Sequence, residues 1–266
     1  MTTKVCVAGA TGWTGRPIAE AVLTSDDLVL SSAVSRSAAG QDLGTAWGGE
    51  RLGVAVYGSV AEALDGVDVL IDYTSDEAVR ANVLTALEHP VSVIIGTSGL
   101  TADDFVDIDR AATEAGVGVV AAGNFSLTAA MAQAASLLVA RYLPCREVID
   151  YASAGKPDAP SGTARELAER LAEVQVNSID VPPGQTRGAV EARGTAVGGT
   201  QVHSVRLPSF VVSTEVLFGL PDERLSIRHD AGSTPTPYVG GTLLAARAVT
   251  SRTGLTRGLD RLLLDS

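Results

Sequence analysis

A glycine-punctuated turn between an apolar run and a helical pattern constrains this chain more than any other feature. Val5-Cys6-Val7-Ala8 reads as a short buried strand, and Gly9-Ala10-Thr11-Gly12-Trp13-Thr14-Gly15-Arg16 follows it directly, opening a helix that runs to about Thr24. The spacing is G-x-x-G-x-x-G. Between a strand and a helix, Gly9 serves the tight turn, Gly12 lets backbone approach a pyrophosphate, and Gly15 allows close helix-strand contact. Amides at the helix start, at the positive end of its dipole, supply the anion site. A glycine-rich turn without a ligand is the alternative, and the strand before and helix after it favour a dinucleotide.

The rest of the first 120 residues or so keeps the same rhythm. Leu28 to Val34, Val69-Leu70-Ile71, Val91 to Ile95 and Val117 to Val120 are mainly apolar runs, separated by helical patterns over Asp76–Leu87 and Thr101–Ala115 that open on the capping-type residues Ser75 and Thr101. Runs this uniformly apolar belong in a parallel sheet covered on both faces. The expectation is an α/β fold: a Rossmann-type doubly wound parallel sheet with a second α+β domain for substrate and oligomerisation. After about Asn124 the pattern changes, with a helix from Ser126 to about Arg141, a strand near Val148–Ala152, a Gly/Pro-rich loop from Gly155 to Pro160 and a helix from Ser161 to Glu173. Residues 177 to 200 read as an extended or mobile segment. Alternating runs return over Gln201–Arg206, Phe210–Phe218 and Arg224–His229, as in an antiparallel or mixed sheet, and a last helix spans about Tyr238–Val249. The expected division is 1–124 plus about 238–266 for the nucleotide domain, and 125–237 for the second.

Composition excludes several classes. A net charge of −11 argues against a nucleic-acid partner, because such a chain would have to neutralise many phosphates. Cys6 and Cys145 are the only cysteines and Cys6 lies in a strand pattern, so a disulfide framework is not expected. Three scattered histidines show no metal-ligand spacing, and no metal is predicted. No apolar stretch approaches a membrane span, and Met-Thr-Thr-Lys enters a strand directly without room for a signal peptide. A cytoplasmic protein with no membrane partner is the expectation.

The end of the second strand bears on the cofactor. An acid there bonds the ribose 2′-hydroxyl of NAD, whereas an arginine accommodates the 2′-phosphate of NADP. The chain reads Val34-Ser35-Arg36-Ser37, which favours NADPH, with NADH still usable; Ser35, Arg36 and Ser37 join Thr11, Trp13 and Thr14 as candidate cofactor residues.

Several segments together resemble the dihydrodipicolinate reductase family, whose lysine-pathway members reduce a cyclic dicarboxylate precursor with NADH or NADPH. They are Val7-Ala8-Gly9-Ala10-Thr11-Gly12, Ile71-Asp72-Tyr73-Thr74, Gly96-Thr97-Ser98-Gly99-Leu100, Asn124-Phe125-Ser126 and Lys156-Pro157-Asp158-Ala159-Pro160-Ser161-Gly162-Thr163-Ala164. The resemblance spans nearly the whole chain. It implies cofactor contacts at Thr74, Gly96, Thr97, Asn124 and Phe125, substrate-carboxylate contacts at Lys156, Ser161, Gly162 and Thr163, and a homotetramer built through the second domain's sheet. Elementary electrostatics supports the carboxylate site independently, since Ser161-Gly162-Thr163 opens a helix after Pro160 and Lys156 adds a point charge.

One departure stands out. Family members typically carry a His-His pair shortly before the lysine, one serving as proton donor and the other binding substrate, and here the positions hold Ala152 and Ser153. A later strand that usually carries a histidine before a glutamate reads Val212-Ser213-Thr214-Glu215. Tyr151 and Lys156 are the closest catalytic candidates, with Asp150, His203 and His229 as further ones; a tyrosine or lysine serves if a nearby charge or burial lowers its pKa. An iminium substrate needs no side-chain acid, because hydride transfer removes its charge. The expected activity is an NAD(P)H-dependent reductase moving hydride to a C=N or conjugated C=C bond of a small, cyclic imine or enamine carboxylate. The alternatives are an authentic lysine-pathway reductase, a cofactor-binding regulator that has lost catalysis, and an amino-acid dehydrogenase working in the oxidative direction.

Overall fold

The computed structural model describes residues 2–264. Its contacts divide the chain into two compact units, one made of the residues up to Leu127 together with those from Pro235 onward, the other of Thr128–Thr234.

The first unit is built on strands β1 (Thr3–Ala8), β2 (Leu28–Val34), β3 (Ala55–Tyr57), β4 (Val69–Asp72), β5 (Ser92–Ile95) and β6 (Gly118–Ala121). Helices α1 (Gly15–Leu23), α2 (Leu43–Ala46), α3 (Val60–Ala63), α4 (Asp76–Glu88) and α5 (Ala102–Ala115) connect them. Val5, Cys6, Val7, Val69, Leu70 and Ile71 are fully buried, as strands covered on both faces require. Burial pushes the Cys6 thiol up to about 12, so it stays a neutral core group. Thr101 caps α5 with a reciprocal capping box to Asp104. Ser75, expected to cap α4 in the same way, makes no side-chain cap bond. Its hydroxyl binds the Glu77 carboxylate instead, the main cause holding that acid below its ordinary value.

The second unit carries strands β7 (Cys145–Ala152), β8 (Thr195–Val197), β9 (Thr200–Arg206), β10 (Val212–Leu220) and β11 (Glu223–Asp230), with helices α6 (Leu127–Ala140) and α7 (Gly162–Val174). Its sheet runs β11-β10-β7-β9-β8 and is mixed, β7 and β9 being parallel and the other pairs antiparallel. Alternation along β7 is strict: Arg146, Val148, Asp150 and Ala152 are buried, while Glu147, Ile149 and Tyr151 are half-buried. Val148, Val202, Val216 and Phe218 form a core with Ala168 and Leu171 of α7. The segment 177–200, expected to be extended or mobile, instead ends in a hairpin. Gly198 and Gly199 both take positive φ, 55° and 78°, so a two-residue turn joins β8 to β9.

From Pro235 the chain returns to the first unit through α8 (Thr236–Val249), β12 (Gly254–Arg257) and α9 (Leu259–Leu264). The first sheet is therefore seven-stranded and wholly parallel, in the order β12-β6-β5-β4-β1-β2-β3. Strand order reverses at β1, the topological switch point at which such sheets bind ligands beyond the carboxyl ends of their strands. Among the described residues no helix is long and apolar enough to cross a membrane.

Candidate functional site

The loop after β1 has the shape its glycines predict. Gly9 has φ +83°, and a Cβ on it would stand 2.1 Å from the Tyr73 carbonyl oxygen; a Cβ on Gly15 would stand 2.1 Å from the Gly9 carbonyl oxygen. Backbone thus packs directly on backbone at both places. Gly12 is exposed, its amide donating to the Gly9 carbonyl at 2.8 Å, and a Cβ there would approach that same oxygen to 3.1 Å. Thr14 stands at the N-cap of α1 and makes no side-chain cap. Trp13 is 55% exposed, its ring edge-on to Tyr238 at 6.3 Å. Trp47, which nothing in the sequence marks, braces the loop by donating from Nε1 to the Ala10 carbonyl at 3.0 Å.

At the end of β2, Ser35 is buried and its hydroxyl lies 2.7 Å from Thr11 Oγ1 and 3.3 Å from Ser37 Oγ. Arg36 is exposed beside them and Ser37 with it. The structure therefore joins Thr11, Ser35, Arg36 and Ser37 along the edge of the glycine loop.

A second group lies at the ends of β4 and β5. Asp72 is fully buried and gathers four donors: Thr97 Oγ1 at 2.6 Å, Thr74 Oγ1 at 2.8 Å, Asn82 Nδ2 at 2.8 Å and the Thr74 amide at 3.1 Å. The Thr74 amide also reaches Thr97 Oγ1 at 2.8 Å. Two loops that meet only in three dimensions are thereby locked by one carboxylate. Gly96 has to lack a side chain because its Cβ would stand 2.1 Å from the Tyr73 ring. Tyr73 is itself fixed, with its hydroxyl 2.9 Å from Thr242 Oγ1 and its ring edge-on to Phe125 at 6.2 Å. Burial holds its phenol above the ordinary value. Asn124 Oδ1 accepts the Ser126 amide at 2.8 Å, and the Phe125 ring is buried, bracing Tyr73 from below.

The second unit holds the loop from Ser153 to the start of α7. Lys156 closes a turn on the Ser153 carbonyl at 3.0 Å, and its Nζ pairs with Asp158 Oδ1 at 2.9 Å. Ser161 is the N-cap of α7, buried, accepting from the Ala164 amide at 3.4 Å. Its own hydroxyl and amide donate to Asp150, at 2.6 and 2.8 Å. Gly162 and Thr163 form the first turn beyond it.

The candidates for a proton donor are dispersed. Tyr151 points to the opposite side of β7 from Asp150, its hydroxyl donating to Glu215 Oε2 at 3.1 Å and its ring covered by the Arg228 guanidinium at 4.8 Å. Desolvation, then that bond to Glu215, raises its pKa, the reverse of the activation a tyrosine acid needs. His203 pairs with Glu147 at 2.9 Å. His229 is buried, lies 3.1 Å from Thr128 Oγ1 and is held below its ordinary value by desolvation. Ala152 is buried and Ser153 half-buried. Thr214 is buried and borders a cavity of about 20 Å³ with His229, Gln133 and Thr163.

Comparison with known proteins bears on the family and the fold. The family model described as dihydrodipicolinate reductase, N-terminus, matches residues 3–125, and that for the C-terminus of the same family matches residues 123–263. Proteins named 4-hydroxy-tetrahydrodipicolinate reductase are similar over the whole length: that of Moorella thermoacetica is 36% identical, covering 98% of both chains, and that of Thermosynechococcus vestitus 35% identical, covering 98% of this chain and 96% of the relative. Among solved structures, dipicolinate-bound dihydrodipicolinate reductase from Paenisporosarcina sp. TG-14 superposes with a TM-score of 0.77 at 26% identity, covering 98% of this chain and 99% of the other. The glycine loop, the Rossmann-type sheet and these full-length matches converge: the chain belongs to the dihydrodipicolinate reductase family of NAD(P)-dependent oxidoreductases.

Proposed function

We propose that this chain is an NADPH-preferring reductase of a C=N or conjugated C=C bond in a small cyclic imine or enamine carboxylate. The observation behind this reading is the coexistence of an uncluttered glycine loop and a lysine-bearing loop at the start of α7 with Ala152 and Ser153 where the resembled family places histidines. The residues fit a dinucleotide. The cradle at Gly9, Gly12 and Gly15 is one that side chains would fill, and the dipole at the start of α1 favours an anion. Trp13 and Thr14 border the pyrophosphate, and Thr74, Gly96, Thr97, Asn124 and Phe125 hold or brace the nicotinamide end. When bound, the cofactor supplies the hydride.

Lys156 and the first turn of α7, Gly162 and Thr163, receive the substrate carboxylate, with Ser161 shaping that turn. An iminium loses its charge on hydride delivery, so the missing histidines matter less for it than for a substrate that must gain a proton at carbon. Where a proton is required, Lys156 is the candidate donor in this loop. Dipicolinate in the Paenisporosarcina relative is a small carboxylate of the kind this loop suits. Steady oxidation of NADPH with a panel of cyclic imine acids tests the reading, and cofactor binding without turnover on any of them overturns it in favour of a regulator. Complementation of a strain lacking the lysine-pathway reductase separates the substrates: full rescue assigns the authentic pathway activity and removes the case for a different imine acid. We further infer a homotetramer through the open face of the second unit's sheet, which light scattering on the eluting protein checks.

Cofactor preference rests on Arg36. Arg36→Ala is expected to lower kcat/KM for NADPH by about ten- to a hundred-fold, the worth of a charge-assisted bond to a phosphate, while leaving the NADH value nearly unchanged. Equal use of the two cofactors by the unaltered enzyme would remove the preference.

A further inference from the structure

We infer that Asp150 and Arg206 are positioning residues for the carboxylate loop, holding the start of α7 and the backbone around Lys156 in the one arrangement that receives a substrate carboxylate. The inference rests on the reading of that loop given above and names what sets its geometry.

Asp150 is fully buried. A buried carboxylate is costly unless donors surround it, and four do: Ser161 Oγ at 2.6 Å, the Ser161 amide at 2.8 Å, Arg206 Nη2 at 2.8 Å and Ser204 Oγ at 3.0 Å. Two of those four come from the N-cap of α7. The acid thus ties the helix start to β7, the most central strand of its sheet, and a change at Asp150 moves the turn at Gly162 first. Arg206 extends the grip. The same Nη2 donates to the Asp158 carbonyl at 2.7 Å, two residues beyond Lys156, and Nη1 reaches the Val205 and Asp150 carbonyls at 3.1 and 3.3 Å. The loop is therefore pinned to two neighbouring strands, β7 and β9, at its middle and at its end.

Charge points the same way. Asp150 alone would repel an incoming carboxylate and offset the positive end of the dipole at the helix start; paired with Arg206 at 2.8 Å its field is largely cancelled nearby. The pair also accounts for Ser161, whose hydroxyl proton goes to Asp150 and is not offered to a ligand. Ser161 acts by placing Gly162.

Calorimetric titration of dipicolinate into the NADPH-saturated enzyme, together with steady-state kinetics on whichever imine acid is turned over, tests the inference. Asp150→Asn keeps the size and loses the ion pair. Dipicolinate affinity is expected to fall about ten-fold, with KM rising by the same factor, kcat staying within about two-fold and NADPH affinity unchanged. Arg206→Lys is expected to recover part of the affinity lost in Arg206→Met. A general loss of structure would lower both affinities together and would show no such recovery. A folded Asp150→Asn enzyme with unaltered dipicolinate affinity, or one that loses kcat at constant KM, overturns the inference. Should Asp150→Asn not fold, Ser204→Ala and Arg206→Met decide the matter, and unchanged affinity in both overturns it. Failure of the unaltered enzyme to bind dipicolinate overturns the carboxylate reading itself, which separates the two failures.

Discussion

Gly9→Ala is expected to abolish measurable NADPH binding and to lower the melting temperature by roughly 10 °C. Two costs combine. An alanine held in the left-handed region costs about 1–2 kcal/mol, and overpacking adds about 1–3 kcal/mol, here because the new Cβ would stand 2.1 Å from the Tyr73 carbonyl oxygen. A total of about 3 kcal/mol in a chain of this size corresponds to the stated shift in melting. Relief comes only by moving the β1–α1 loop away from the loop after β4, which displaces the amides offered to the pyrophosphate. Gly40→Ala is the control, since Gly40 has φ +81° and nothing within 4 Å of its added Cβ. It should show the backbone cost alone, with NADPH affinity preserved. Calorimetric melting and fluorescence titration of both variants provide the check; Gly9→Ala with ordinary NADPH affinity would show that the glycine loop is not the pyrophosphate site.

Asp72→Asn is expected to cost about 2–4 kcal/mol of stability and to reduce kcat/KM at least ten-fold, because an amide brings a donor into a shell of donors. The carboxylate accepts from Thr97 Oγ1, Thr74 Oγ1 and Asn82 Nδ2, each within 2.8 Å, and also from the Thr74 amide. With an Asn there, at least one N–H faces another donor, and the Thr74 and Thr97 loops part. The signature is a fall in turnover at cofactor saturation alongside a lowered melting temperature. Normal turnover in a folded Asp72→Asn enzyme would show that the two loops do not need each other.

How far the sequence reached depends on how local the physics was. β1 and β4 to β6 were legible because strands buried on both faces leave unbroken apolar runs, and Gly9 to Gly15 because turn, strand and helix adjoin. β3 and β12 were not, being three- and four-residue edge strands with partial exposure and no run to detect. The hairpin at Gly198-Gly199 is written in its two glycines, yet the charges and prolines upstream give the segment an extended or mobile signature. In the site, residues next to a glycine or a helix start could be named. The bracing roles of Trp47, Asp72 and Arg206 could not be read, because their partners Ala10, Thr97 and Asp158 lie far along the chain. Tyr151 is the instructive case: adjacency to Ala152 suggested it, yet the two-residue period of β7 turns its ring to the other side of the sheet.

The return of α8 and β12 to the first sheet has a consequence for the order in which this protein is made. β6 gains its outer neighbour only when Gly254–Arg257 have been synthesised and pair with Gly118–Ala121. Until then the nucleotide unit emerges from the ribosome with β6 exposed as an edge strand, and the whole Thr128–Thr234 unit is translated in the interval. The intervening unit, whose five strands lie within one continuous stretch, can close its own sheet first. Nascent chains stalled before residue 254 should therefore present an unprotected parallel edge, the kind of surface chaperones and aggregation partners recognise.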